Sequence, residues 1–290
     1  MSTTTTGPAL RAALDADVGR LLSAEPEVRE DLPDSVHQMR VATRRLRSVL
    51  RSYRKMFHRT RIDELRDELR WLAGLLGVAR DAEVRAERFA ALLEQQPAEE
   101  RRACRSLVAE ERARYTEAHR EILQALDGAR YARLRKRVQA LRSDPPLRGK
   151  RARADAARQF SGVLRDDFRR LRGLVAEEPG TEDPDRIEHL HEIRKSAKRL
   201  RYSADAAVAV LDGPAVELSA RAKKLQSVLG DHRDAVEAMD TIHARATAAA
   251  SRGTDTTAYT HLYEAESAAA RKALDQYPAA AAFLRHNYGD

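Results

Sequence analysis

His37-Gln38-Met39-Arg40-Val41-Ala42-Thr43-Arg44-Arg45-Leu46-Arg47 and His191-Glu192-Ile193-Arg194-Lys195-Ser196-Ala197-Lys198-Arg199-Leu200-Arg201 are one phrase written twice. Both read H-x-[MI]-R-x-x-x-[RK]-R-L-R, and the second stands 154 positions after the first. A second pair follows in the same order. Leu76-Gly77-Val78-Ala79-Arg80-Asp81-Ala82 and Leu229-Gly230-Asp231-His232-Arg233-Asp234-Ala235 share L-G-x-x-R-D-A at an offset of 153. Two motifs repeated in one order at nearly one separation mark an internal duplication, and a duplication fixes the architecture before any local reading does.

The phrase itself is helical. At about 100° per residue, counted from His37, the residues Arg40, Arg44, Arg47, Arg51, Arg54, Lys55 and His58 share an arc of roughly 100°. Met39, Leu46, Val49, Leu50, Tyr53 and Phe57 lie opposite. In the second copy His191, Arg194, Lys195, Lys198, Arg201 and Tyr202 line one side, with Ile193, Leu200, Ala204 and Ala207 on the other. Each is an amphipathic helix that turns its apolar face to a bundle.

The rest of the chain agrees with an all-α fold. Apolar residues form 42% of the 290, enough for a core, and Ala, Leu, Arg and Glu dominate over sparse Gly and Pro. These residues lose little freedom in a helix, and alternating β-branched or aromatic runs that would signal strands are nearly absent. Helices are expected near 8–24, 35–57, 60–76, 80–95, 98–126 and 130–142, then 150–176, 186–210, 214–229, 232–251, 255–276 and 278–288. Pro145 and Pro146 break the pattern between the copies. A further break, Glu178–Asp185, precedes the second basic helix as Glu30–Ser35 precedes the first. The expected organisation is one domain over 8–288. It comprises two repeats, 8–142 and 150–288, joined by a linker at 143–149 and packed about a pseudo-twofold axis.

Charge narrows the function. Lys and Arg outnumber Asp and Glu by 53 to 45, for a net charge of +8, which favours an anionic partner without naming it. The distribution says more than the sum: from His37 to His58 there is no Asp or Glu. Solvated helix faces usually mix signs, because like charges three or four apart repel. Either neighbouring helices supply carboxylates here, or an outside anion does. Cations along such a stripe recur about once per turn, roughly every 5 Å, which suits a linear chain of phosphates gripped by Arg and Lys. The second stripe is shorter, because Asp205 stands where the first has Arg51.

Smaller signals keep two readings each. His37 and His191 fit either a packing histidine near a helix start or a phosphate donor that titrates near neutrality. In L-G-x-x-R-D-A, Gly77 and Gly230 are expected to end one helix, with Asp81 and Asp234 favoured by the dipole of the next. Arg80 and Arg233 then either line the groove or pair with those acids, and Lys223, Lys224 and His232 are weaker groove candidates. No metal site, cofactor or catalytic residue is expected. There is no phosphate loop, no H-E-x-x-H and no G-x-S-x-G. The lone Cys104 cannot form an internal disulfide and fits a reducing compartment. With no signal-peptide pattern and no apolar run of spanning length, a cytoplasmic protein without membrane insertion is expected.

The duplicated H-x-[MI]-R-x-x-x-[RK]-R-L-R, each copy followed about 40 residues later by L-G-x-x-R-D-A, resembles the CHAD domain, the conserved histidine α-helical domain, over residues 8–288. The resemblance implies two four-helix-bundle-like halves, binding of inorganic polyphosphate in a basic central groove, and association with polyphosphate granules. Carried over by position, it implies His37, Arg40, Arg44, Arg47 and Arg51, and His191, Arg194, Lys198 and Arg201. Many relatives carry a triphosphate tunnel domain with E-x-E-x-K, which this sequence lacks, so triphosphatase activity is not carried over. The leading expectation is non-catalytic polyphosphate binding. A nucleic-acid binder and a metal-dependent phosphohydrolase acting on polyphosphate are the alternatives.

Overall fold

A computed structural model describes residues 4–178 and 183–288, and the described residues form an all-α fold. The helices are α1 (Thr6–Arg29), α2 (Ser35–Ser52), α3 (Arg59–Glu94), α4 (Ala98–Asp127), α5 (Ala129–Ser143) and the short α6 (Gly149–Ala152), then α7 (Ala156–Glu177), α8 (Asp183–Leu211), α9 (Gly213–Ala250), α10 (Thr257–Asp275) and α11 (Tyr277–Ala281). Residues 179–182, within the break expected at Glu178–Asp185, lie outside the described residues.

Helical periodicity is realised where it was strongest. Met39, Leu46, Val49, Leu50, Tyr53 and Phe57 are fully buried, as are Ile193, Leu200, Ala204 and Ala207. Each large apolar side chain so buried contributes about 1.5–3 kcal/mol. Their core is shared: one apolar cluster runs from Leu10 and Leu14 of α1 through α2 and α3 to Phe160 of α7, Ile193 of α8 and Leu225 of α9. A smaller one joins Phe89 and Leu93 of α3 and Leu107 of α4 to Ile242 of α9 and Leu262 of α10. The α3/α4 and α9/α10 hairpins therefore meet at their far ends. Arg88 of α3 donates there to the buried Glu266 of α10 through Nε at 2.6 Å.

Two expected boundaries fail, for one reason. Gly77 and Gly230 do not end helices; α3 runs unbroken through 36 residues and α9 through 38. A glycine inside a helix costs about 1 kcal/mol relative to Ala, but both glycines are buried under a side chain from the basic helix. A Cβ on Gly77 would stand 3.8 Å from the Arg40 guanidinium, and one on Gly230 would stand 3.5 Å from that of Arg194. The glycine accommodates an arginine laid across the helix instead of a turn. The first basic helix is also shorter than the expected 35–57: it ends at Ser52, and Arg54–Met56 form a 3-10 turn.

Candidate functional site

α2 and α8 pack against each other, with α3 and α9 beside them. Between these four helices lies a cleft of about 570 Å³. Its lining comes from both repeats in matched positions: His37 and His191, Arg40 and Arg194, Arg44 and Lys198, Arg80 and Arg233, Asp81 and Asp234. Arg85 and Arg88 of α3, and Arg201 and Tyr202 of α8, also line it.

The cations fall into two groups. One group is held by carboxylates from neighbouring helices or the same helix. Arg40 donates to Asp81 at 2.7 Å, Arg80 to Glu83 at 2.8 Å, Arg85 to Glu111 at 3.0 Å and Arg233 to Glu237 at 2.6 Å. These pairs fix direction and leave further N–H donors, since a guanidinium carries five. In the other group, Arg44 and Lys198 have no ion pair among the described residues, and Arg201 donates to the neutral Gln226 at 3.2 Å and lies over the Tyr202 ring.

Burial among cations disfavours charge at these positions. Desolvation, then Arg44 and Arg194, push the Lys198 ammonium down to about 6. Desolvation, then Arg40, push Arg44 down to about 10. His37 is lowered by burial and by Arg80, and His191 by burial and by Arg233. Arg233 Nη1 also lies 3.3 Å from His191 Nδ1, so that nitrogen accepts and the ring is neutral. Burial raises the Asp234 carboxyl above its ordinary range. The cleft thus has a positive centre that its own residues do not neutralise.

Of the residues proposed from sequence, His37, Arg40, Arg44, Arg80, His191, Arg194, Lys198, Arg201, Tyr202 and Arg233 come together in the cleft. The others lie outside it. Arg47 and Arg51 continue along α2 toward Arg66 and Arg70 of α3. Arg54, beyond the end of α2, donates to Asp63 at 2.8 Å, and Lys55 to Asp166 at 3.1 Å. Lys195 is exposed and pairs with Glu192; Lys223 and Lys224 are exposed on α9; His232 is buried. Sequence reasoning missed Arg85 and Arg88 and the acids Asp81, Asp234 and Glu237 of the lining. The signal was present: 80, 81, 84, 85 and 88 recur at one-turn spacing on α3.

No group of three or more His, Cys, Asp or Glu among the described residues could hold a metal ion, and no described helix is long and apolar enough to cross a membrane.

The sequence model of the CHAD domain matches residues 12–243. Uncharacterized proteins from two strains of Mycobacterium tuberculosis are each 38% identical over 275 residues, covering 92% of this chain. The chain spans 51% of the length of each. PptA from Streptomyces chartreusis has a similar fold, with a TM-score of 0.79 at 23% identity over 96% of this chain and 99% of that one. The CHAD domain from the plant Ricinus communis gives a TM-score of 0.67 at 24% identity, covering 98% and 93%.

Proposed function

The chain belongs to the CHAD domain family, and from that premise we propose that it binds inorganic polyphosphate in the cleft between its repeats, without reacting with it. The observation that carries this is the pair Arg44 and Lys198, one from each repeat, half-buried among cations and engaged by no carboxylate among the described residues. Holding Arg44 charged with no counter-ion, and Lys198 without the proton it would carry in water, costs several kcal/mol. Such an arrangement is retained where an arriving anion offsets that cost.

A linear polyphosphate fits this arrangement in three respects. Its charges repeat along a line, as do the cations at one per turn of α2 and α8. Phosphate oxygens take charge-assisted hydrogen bonds from guanidinium groups already aimed by their own acids, as Arg40 is by Asp81. A concave site with one excess sign also concentrates polyanions before contact. Nucleic acid fits less well. Tyr202, the one Phe, Tyr or Trp among the described lining residues, is 4% exposed and flanked by Arg45 and Arg201, so it offers no face for base stacking. Attachment to polyphosphate granules follows from the same binding.

Calorimetric titration of long-chain polyphosphate, orthophosphate and duplex DNA at matched salt tests the reading. Saturable polyphosphate binding is expected, far tighter than for the other two and weakening steeply with salt as counterions are released. Equal or tighter binding of DNA would overturn it. Metal-dependent release of phosphate would overturn its non-catalytic part.

A further inference from the structure

Below the cleft, α1 and α7 repeat a buried pattern. Leu10, Leu14, Asp17, Val18 and Leu21 match Phe160, Leu164, Asp167, Phe168 and Leu171 at a constant offset of 150, and all ten are buried. Each aspartate grips the equivalent arginine of its neighbouring basic helix. Arg45 donates to Asp17 at 2.5 Å, and Arg199 pairs with Asp167 at 2.7 Å. Up to this contact the repeats agree.

They part at the next one. Arg45 reaches a second carboxylate, Asp205 of α8, at 2.6 Å, and Asp205 in turn accepts from Ser219. The position equivalent to Asp205 is Arg51, and the position equivalent to Ser219 is Arg66. Where Arg45 meets an acid, Arg199 meets a cation. Arg51 is exposed and has no ion pair among the described residues; Arg199, Arg170 and Arg66 add positive potential to it, which the buried Asp167 offsets only in part, and Arg66 is itself aimed by Asp63, to which it donates at 2.9 Å. Arg47 links this cluster to the cleft, since it bears on Arg44 on one side and on Arg66 and Arg70 on the other.

We propose that Arg51 and Arg199, with Arg66, form an oxyanion site that takes a phosphoryl group where the other repeat supplies its own carboxylate, Asp205. Asp205 shows what chemistry the framework accepts: an oxyanion beside the arginine anchored by the buried aspartate. A polyphosphate longer than the cleft then leaves at one end only, past Arg44 and Arg47 to Arg51, because at the other end Asp205 already fills the oxyanion place beside Arg45. This exit rests on the polyphosphate reading; the oxyanion site itself would serve a free phosphate equally.

The double variant Arg51→Asp, Arg66→Ser writes the acid–serine pair of one repeat into the other, and Asp63, which loses Arg66, keeps Arg54 as its partner. Arg51→Gln removes the charge alone. Calorimetry with long-chain polyphosphate, tripolyphosphate and orthophosphate supplies the readouts, with circular dichroism to check folding. The double variant also gives up the Arg66–Asp63 ion pair, so its melting temperature is expected to fall by no more than about 4 °C. Its long-chain affinity should fall at least about tenfold, while tripolyphosphate, short enough for the cleft, should change by no more than about twofold; Arg51→Gln should give a smaller loss in the same direction. Loss of a saturable orthophosphate site in place of the long-chain effect would assign the site to free phosphate. The proposal is overturned if folded variants bind long chains and orthophosphate as the parent does, or if they lose tripolyphosphate and long chains equally. Should the parent protein bind no polyphosphate at all, the cleft reading fails, and the orthophosphate comparison still decides this site.

Discussion

Arg40 donates to Asp81 at 2.7 Å across the gap between α2 and α3, with its guanidinium resting over the backbone of Gly77. The same motif therefore supplies both the bed and the anchor for a cleft arginine, and in the second repeat Gly230 supplies the bed under Arg194. A Cβ at Gly77 would meet the guanidinium at ordinary contact distance, 3.8 Å. Gly77→Ala should therefore be tolerated and stabilise α3 by up to about 1 kcal/mol, with polyphosphate affinity little changed. Gly77→Leu has no such room: it should lift Arg40 off α3 and weaken binding about tenfold, the loss of one charge-assisted contact. Thermal melts and titration of both variants check this.

Lys198 should give the proposed polyphosphate binding a pH dependence. In the free protein its ammonium is pushed down to about 6, and His37 and His191 are also lowered, so these groups are largely neutral at pH 7.5. An arriving polyanion favours their charged forms, so binding takes up protons and tightens as pH falls from 8 toward 6. Titration in buffers of different ionisation enthalpy should give net proton uptake at pH 7.5. Lys198→Arg, charged throughout, should reduce that uptake while binding persists. Unchanged uptake in the variant would remove Lys198 from this account.

The same lysine costs the free protein stability. Its folded pKa lies below the unfolded value, so the unfolded chain binds more protons between about pH 6 and the ordinary lysine range near 10.4. Its contribution to stability therefore rises with pH across that window and is smallest near pH 6. Lys198→Met should raise the melting temperature at pH 7, by roughly 2–4 °C per kcal/mol recovered, and weaken polyphosphate binding. A drop in melting temperature would mean that the ammonium is stabilised by a partner.

Asp167 is 2% exposed and accepts from Ser52 and Ser203 at 2.8 and 2.9 Å as well as pairing with Arg199. Asp167→Ala would leave Arg199 beside Arg51 with no counter-charge. A loss of about 3–5 kcal/mol is expected from denaturant melts, more than for any single acid at the cleft rim such as the exposed Asp81.

Much of this was legible in the residues. The period of Met39, Leu46, Val49 and Leu50 dictates which face of α2 is buried, because packing follows the helical repeat. The duplicated phrase likewise brings Arg44 and Lys198 into one cleft. What periodicity could not supply was the neighbour. It cannot distinguish a glycine that ends a helix from one that makes room for an arginine, so Gly77 and Gly230 were misread as boundaries. Nor can it see that Arg54 and Lys55 leave the stripe when α2 stops at Ser52, or that acids 41 and 40 residues away, Asp81 and Asp234, belong to the lining. Asp205 looked like a gap in a basic stripe. It is the second anchor of Arg45.

The central claim is that both repeats hold one polyanion between them. A crystal structure with a short linear polyphosphate tests it most directly. The account predicts phosphoryl groups in the single cleft, contacted by Arg44 of α2 and Lys198 of α8 together. Phosphate bound to separate outer faces of α2 and α8, with the space between Arg44 and Lys198 empty, would contradict it.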